Sequence, residues 1–465
     1  MAGNPVTRRR GRHITGWRRE ALRTNLWFVP AIMVAFAVLL FVATYWLDRL
    51  VGEHDISLPG WVASGSADTA RQVLIGVAAA VITVAGVVFS ITILALQLAS
   101  QQFGPRMLRN FIRDLGTQVS LGAFVATFVY AMLTLGSIGH VGPEEFVPHL
   151  SVTIALALTM IDVGVLIYFI HHVAHSIQLT SVVAGIAHDY RSVVGQLVRD
   201  APPGSSDGSV APPDVQATRA RLEREGAIVR ADRSGFLQAI GHGRLLEIAR
   251  SSDARIQLLS RPGQFVAQGQ PLALVWPPSA VEQVSLWLAR AHIVGPNRTL
   301  TQDPAFAVDQ LVEVAIRALS PAVNDTFTAL NCIDWLGDCL CRTARQVLPD
   351  GVYRDRERVV RLLEPAITLD FLVKRASDKI RQAGRGMPAV LIRQLENLQR
   401  IASSLREGQG CQAIVRQAHM IMRNAEESIP EASDQADVRV AYDALVADVR
   451  PHVGPGLAER APATE

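Results

Sequence analysis

The stretch VLIGVAAAVITVAGVVFSITILALQL, residues 73–98, decides how the rest of the chain is read, because it runs for 26 residues without a charge. A helix rises 1.5 Å per residue, so about 20 apolar residues cross a hydrocarbon core about 30 Å thick, and this stretch predicts a transmembrane helix. Trp27–Leu47, Val119–Ile138 and Leu150–Val173 qualify on the same ground. The first of these is too long for a signal peptide, and Tyr45-Trp46-Leu47-Asp48 is no small-residue cleavage site, so it reads as an uncleaved span. The predicted fold class is therefore mostly α: a four-helix transmembrane region followed by a cytosolic α+β region.

Composition agrees with that division. Of 465 residues 49% are hydrophobic, and the excess lies before residue 175. The net charge of +3 is more than covered by Arg8, Arg9, Arg10, Arg12, Arg18, Arg19 and Arg23, which argues against nucleic acid as a partner. Lysine occurs only as Lys374 and Lys379, which excludes a P-loop, a pyridoxal Schiff base and a protein-kinase strand lysine over most of the chain. Cys332, Cys339, Cys341 and Cys411 form no Cys-x-x-Cys pair and read as reduced structural thiols.

Basic residues mark cytoplasmic flanks. They crowd residues 1–26 and recur as Arg106, Arg109 and Arg113, whereas Asp48, Glu53, Asp55 and Asp68 dominate the loop after the first span and Glu144 and Glu145 the loop after the third. Both termini are thus expected in the cytosol.

Within the second span Gly76, Thr83, Ser90, Gln97 and Gly104 recur every seven residues, with Ala79, Gly86 and Ser100 beside them. Such a stripe of small and polar residues should face protein or water rather than lipid. Two readings stay open: a close-packing seam between helices, or a neutral pore lined by Thr83, Ser90, Gln97 and Ser100 from several subunits. Asp162, in the middle of the fourth span, is the intramembrane polar residue to explain, by function or by a hydrogen bond to a neighbouring span. His171 and His175 are four apart near His172, but no further ligand accompanies them, so no metal is expected.

Beyond the spans the chain divides further. Residues 1–26 form a basic segment, 27–175 the transmembrane domain, and 176–224 a helical exit with a flexible Pro/Gly/Ser linker over Ala201–Pro213. Residues 225–278 read as a small β-barrel-like module with strands near 227–230, 235–240, 254–259 and 271–276. Gly263 and Gly269 there resemble the turn glycines of biotinyl and lipoyl carrier barrels, but the segment has no acceptor lysine, so no cofactor is expected. Residues 279–450 read as helical, including amphipathic helices over Asp355–Leu363 and Pro388–Arg406, and 451–465 as a disordered tail. Between helices, Arg317, Ser320, Asn324 and Asp325 are junction candidates: Asn324 or Asp325 can cap the next helix, or the four can gather a ligand or a neighbouring subunit.

Three phrases carry a resemblance: FSITILALQLASQQFGPR at 89–106, YFIHHVAHSIQ at 168–178 and RALSPAVND at 317–325. Together they resemble the bacterial predicted-membrane-protein family catalogued as domain of unknown function number 2254, over roughly residues 20–430. The resemblance implies a bacterial inner-membrane location and no activity. The expected protein is non-enzymatic and cofactor-free, with membrane lipids, further copies of itself and a small ion as partners. Its leading reading is an oligomeric ion channel, with the second span lining the path and the cytosolic domain assembling or gating it. The alternative is a membrane-anchored scaffold or sensor whose cytosolic domain binds a ligand or partner.

Overall fold

A computed structural model describes residues 27–53, 65–103, 114–141, 144–176, 178–201, 212–406, 409 and 411–449. The basic N-terminal segment, Gly104 with Arg106, Arg109 and Arg113, most of the first acidic loop, nearly all of the Pro/Gly/Ser linker and the tail lie outside them, as does the side chain of Ser100.

The described residues fall into two compact units that divide near residue 181. The first is built from α1 (Phe28–Glu53), α2 (Ala67–Phe103), α3 (Leu115–Ser137) and α4 (His149–Ser176). All four are long and apolar enough to cross a membrane, and each contains the span expected from the sequence to within a residue at either end. Helix α3 packs against the other three. Between α3 and α4 a short antiparallel hairpin, β1 (Gly139–Val141) and β2 (Glu144–Phe146), occupies the Glu144–Glu145 loop.

One cluster of polar groups between these helices is paired, as an apolar surround demands. Asp48 of α1 caps α4 across the bundle, accepting from the Leu150 and Ser151 N–H groups at 2.8 and 3.0 Å and from the Ser151 hydroxyl at 2.6 Å. Thr44 of α1 shares a hydrogen bond of 2.9 Å with Tyr130 of α3, and its hydroxyl lies 3.1 Å from that of Ser151. This buried cluster ties three helices together without a ligand.

The second unit begins in α5 (Leu179–Asp200), whose buried Tyr190 hydroxyl meets Thr343. After α6 (Pro213–Glu225) come β3 (Ala227–Arg230), β4 (Gly235–Ile240), α7 (His242–Ser251), β5 (Arg255–Leu258), β6 (Phe265–Val266) and β7 (Pro271–Trp276). These strands do not close on themselves within 225–278. Helix α8 (Val281–Ala291) is followed by β8 (His292–Gly295), which pairs with β4, and the later β9 (Val352–Arg354) and β10 (Val360–Leu363) complete a five-stranded sheet of order β3-β7-β5-β10-β9. Strand β10 runs parallel to β5; the other pairings are antiparallel. The core between sheets and helices holds Leu237, Leu245, Ile256, Val275, Leu288 and Leu362.

One expectation is corrected here. Residues 355–363 do not form an amphipathic helix: the Asp355 carboxylate accepts from the Glu357 and Val359 N–H groups at 2.9 and 3.0 Å, making a tight turn into β10. The strand is buried at all four residues and takes its backbone partners from β5, so tertiary pairing overrides helical spacing.

The rest is helical: α9 (Pro304–Ala318), α10 (Thr326–Ala344), α11 (Leu369–Ala383), α12 (Pro388–Ala402), α13 (Gln412–Ser428) and α14 (Ala432–Val449). All four cysteines are free thiols, and burial pushes those of Cys332 and Cys339 up to about 12.

Candidate functional site

Helix α2 has two faces of opposite character. Leu74, Val77, Ala78, Val81, Ala85, Val88 and Ala95 are buried against the other membrane helices. Gly76, Ala79, Thr83, Gly86, Ser90 and Gln97 are all exposed. A helix turns about 100° per residue, which sets Ser90 about 180° from Val81, so the polar stripe runs diametrically opposite the packed face. It is therefore not a seam inside this chain's own bundle.

The stripe's hydroxyls bond to their own helix. Thr83 donates to the Ala79 carbonyl at 2.6 Å and Ser90 to the Gly86 carbonyl at 2.9 Å. Local pairing of this kind removes the penalty of an unmet hydroxyl without filling the space around it. The glycines are harder to account for within one chain. A glycine in a helix costs about 1 kcal/mol relative to alanine, and a side-chain carbon added at Gly76 or Gly86 would meet no atom within 4 Å. What such positions permit is close approach by a helix from outside the bundle.

The other sequence-derived candidates sit elsewhere. Asp162 of α4 is buried in its own bundle with Thr127 of α3 in hydrogen-bonding reach, and its second carboxylate oxygen has no partner. It faces the interior, apart from the α2 stripe. Arg317, Ser320, Asn324 and Asp325 do come together at the α9–α10 turn. The Ser320 hydroxyl donates to the Arg317 carbonyl at 2.7 Å, and the Asn324 N–H to the Ser320 carbonyl at 2.9 Å. Asp325 is the residue that caps α10, accepting from the Thr328 N–H at 3.1 Å. Asn324 has φ +51°, a left-handed conformation asparagine tolerates better than most residues.

His172 holds a position that histidine spacing alone did not disclose. Its Nε2 lies 2.7 Å from Asp114, which caps α3 through the Thr117 N–H and hydroxyl. Burial works to raise the Asp114 carboxyl, but the hydrogen bonds from Thr117 and His172 outweigh it and hold it below the usual carboxylate range. His171 and His175 lie beside each other with ring centroids 4.3 Å apart. Among the described residues no group of three or more His, Cys, Asp or Glu side chains is placed to hold a metal ion.

Comparison with known proteins places these features in context. A family model described as "Predicted membrane protein (DUF2254)" matches residues 23–400. An uncharacterized protein of Mycobacterium tuberculosis strain H37Rv and one of Mycobacterium bovis strain AF2122/97 are each 34% identical to this chain over 381 residues, covering 80% of this chain and 71% of the relative. No solved structure matches.

Proposed function

The chain belongs to the DUF2254 family of predicted membrane proteins, and we propose that it is an oligomeric, non-enzymatic ion-conducting protein of the bacterial inner membrane with both termini in the cytosol. The observation that carries this reading is the direction of the α2 stripe: small and polar residues are turned away from the chain's own core, where a second copy or water can use them. Copies brought together at Gly76, Ala79 and Gly86 set Thr83, Ser90 and Gln97 around a shared axis. Seven-residue steps space these three rings about 10 Å apart, so they span roughly 20 Å of the bilayer core. Rings of hydroxyls and carboxamides substitute for part of an ion's hydration shell without contributing a fixed charge.

Reconstitution of the purified protein in planar bilayers tests the proposal. The expected result is a conductance that Ser90→Leu and Gln97→Leu each reduce. Absence of conductance, or conductance unchanged by both substitutions, contradicts it.

A second reading, a membrane-anchored scaffold or sensor, is favoured by one surface. Val323 and Phe327 flank Asn324 and Asp325 with 57% and 85% of their surface exposed, an apolar tip suited to a partner. Cross-linking and pull-down at that tip should then return a second protein; recovery of the chain alone argues against this reading.

A further inference from the structure

The last turn of α11 and the second half of α13 bound a recess of about 280 Å³ lined by Arg381, Arg385, Met420, Arg423, Asn424 and Glu427. Asn424 fixes the two elements together by donating to the Arg381 carbonyl at 3.4 Å. Three guanidiniums thus meet one carboxylate. That carboxylate, Glu427, makes only a loose pair of 3.7 Å with Arg385 at the exposed rim. Asp378, an acid that feels the charge of Arg381, is already engaged by Lys374 at 2.7 Å and Gln417 at 2.8 Å. Neither Arg381 nor Arg423 has a carboxylate within ion-pair distance among the described residues.

The second observation is a donor without an acceptor. The Nε–H of Arg381 is buried and has no hydrogen-bond partner. Buried polar groups in folded proteins are nearly always paired, so Arg381 is not committed to a protein acceptor through this N–H, and with no carboxylate partner among the described residues its charge is left for an anion in the recess.

We propose that this recess binds a phosphate group, carried by a small soluble molecule or by a lipid headgroup. The chemistry follows from the lining. Three positive charges against one negative leave a surplus of two, which matches a phosphate dianion and exceeds what a monocarboxylate would neutralise. Guanidinium forks meet phosphate oxygens with paired, charge-assisted hydrogen bonds, so arginine suits this role better than lysine. Met420 supplies an apolar wall for the carbon skeleton to which the phosphate is attached.

Isothermal titration calorimetry on the full chain in detergent, in phosphate-free buffer at constant ionic strength, tests this. Inorganic phosphate is expected to bind once per chain. Arg423→Gln, a change at an exposed side chain, should weaken binding by about tenfold or more. Arg381→Lys keeps the charge but removes the guanidinium fork and should also weaken it. No saturable heat up to about 10 mM phosphate, or affinity unchanged in both variants, overturns the proposal. Dihexanoyl phosphatidic acid distinguishes the sources. Binding about tenfold tighter than phosphate and lost in Arg423→Gln supports a lipid headgroup, and binding no tighter than phosphate supports a soluble phosphate.

Discussion

Gly263 is held at φ +90°, and a side-chain carbon on it would run into the Asp303 carboxylate, which Arg298 already grips at 2.6 and 2.9 Å. Both the backbone conformation and the space demand glycine. Gly263→Ala should therefore lower the unfolding free energy by about 2 kcal/mol or more, read by urea denaturation. His292 supplies a pH dependence. Its Nδ1–H donates to the Leu288 carbonyl at 3.1 Å, its Nε2 is buried without a partner, and burial pushes its pKa down to about 4. Below an ordinary histidine pKa of about 6.5 the unfolded chain takes up a proton that the folded chain refuses until about pH 4. This stabilisation is thus present above pH 6.5 and is lost as pH falls through that window, by roughly 3 kcal/mol. Denaturation at pH 7, 5.5 and 4 should show the loss, and His292→Phe should remove that share of the slope. The turn glycine was legible in the sequence because its spacing is local. His292 was not, because its burial is created by β8 pairing with β4 across more than fifty residues.

At the scale of elements, hydropathy located the four membrane helices because the bilayer sets their length and composition directly. The same reasoning misread residues 355–363, where the partner strand β5 lies a hundred residues away. For α2, seven-residue spacing identified a polar face but not its direction: periodicity states which residues share a side, and only packing states what that side meets. Two glycines separate these cases experimentally. At Gly122 of α3 an added carbon would lie 2.6 Å from the Met33 sulfur and 3.1 Å from Pro30 of α1, so Gly122→Leu should break the bundle itself. At Gly86 nothing lies within 4 Å. Gly86→Leu should therefore leave the monomer's helical circular dichroism unchanged while shifting the detergent-solubilised protein to a smaller assembly by light scattering. An unchanged assembly size would show that α2 does not form the contact.

The whole molecule joins a unit of four apolar helices to a unit in which two small sheets and several helices share a second core. Neither unit explains the outward face of α2 from within, and the account rests on that face being the place where copies meet. Cysteine cross-linking in native membranes tests it most directly. Ser90→Cys, on the stripe, should form disulfide-linked dimers on mild oxidation, whereas Val88→Cys, buried in the chain's own core, should not. Efficient cross-linking at Ser90 but not at Val88 is the predicted result; failure of Ser90→Cys to cross-link, or equal cross-linking at both positions, would contradict it.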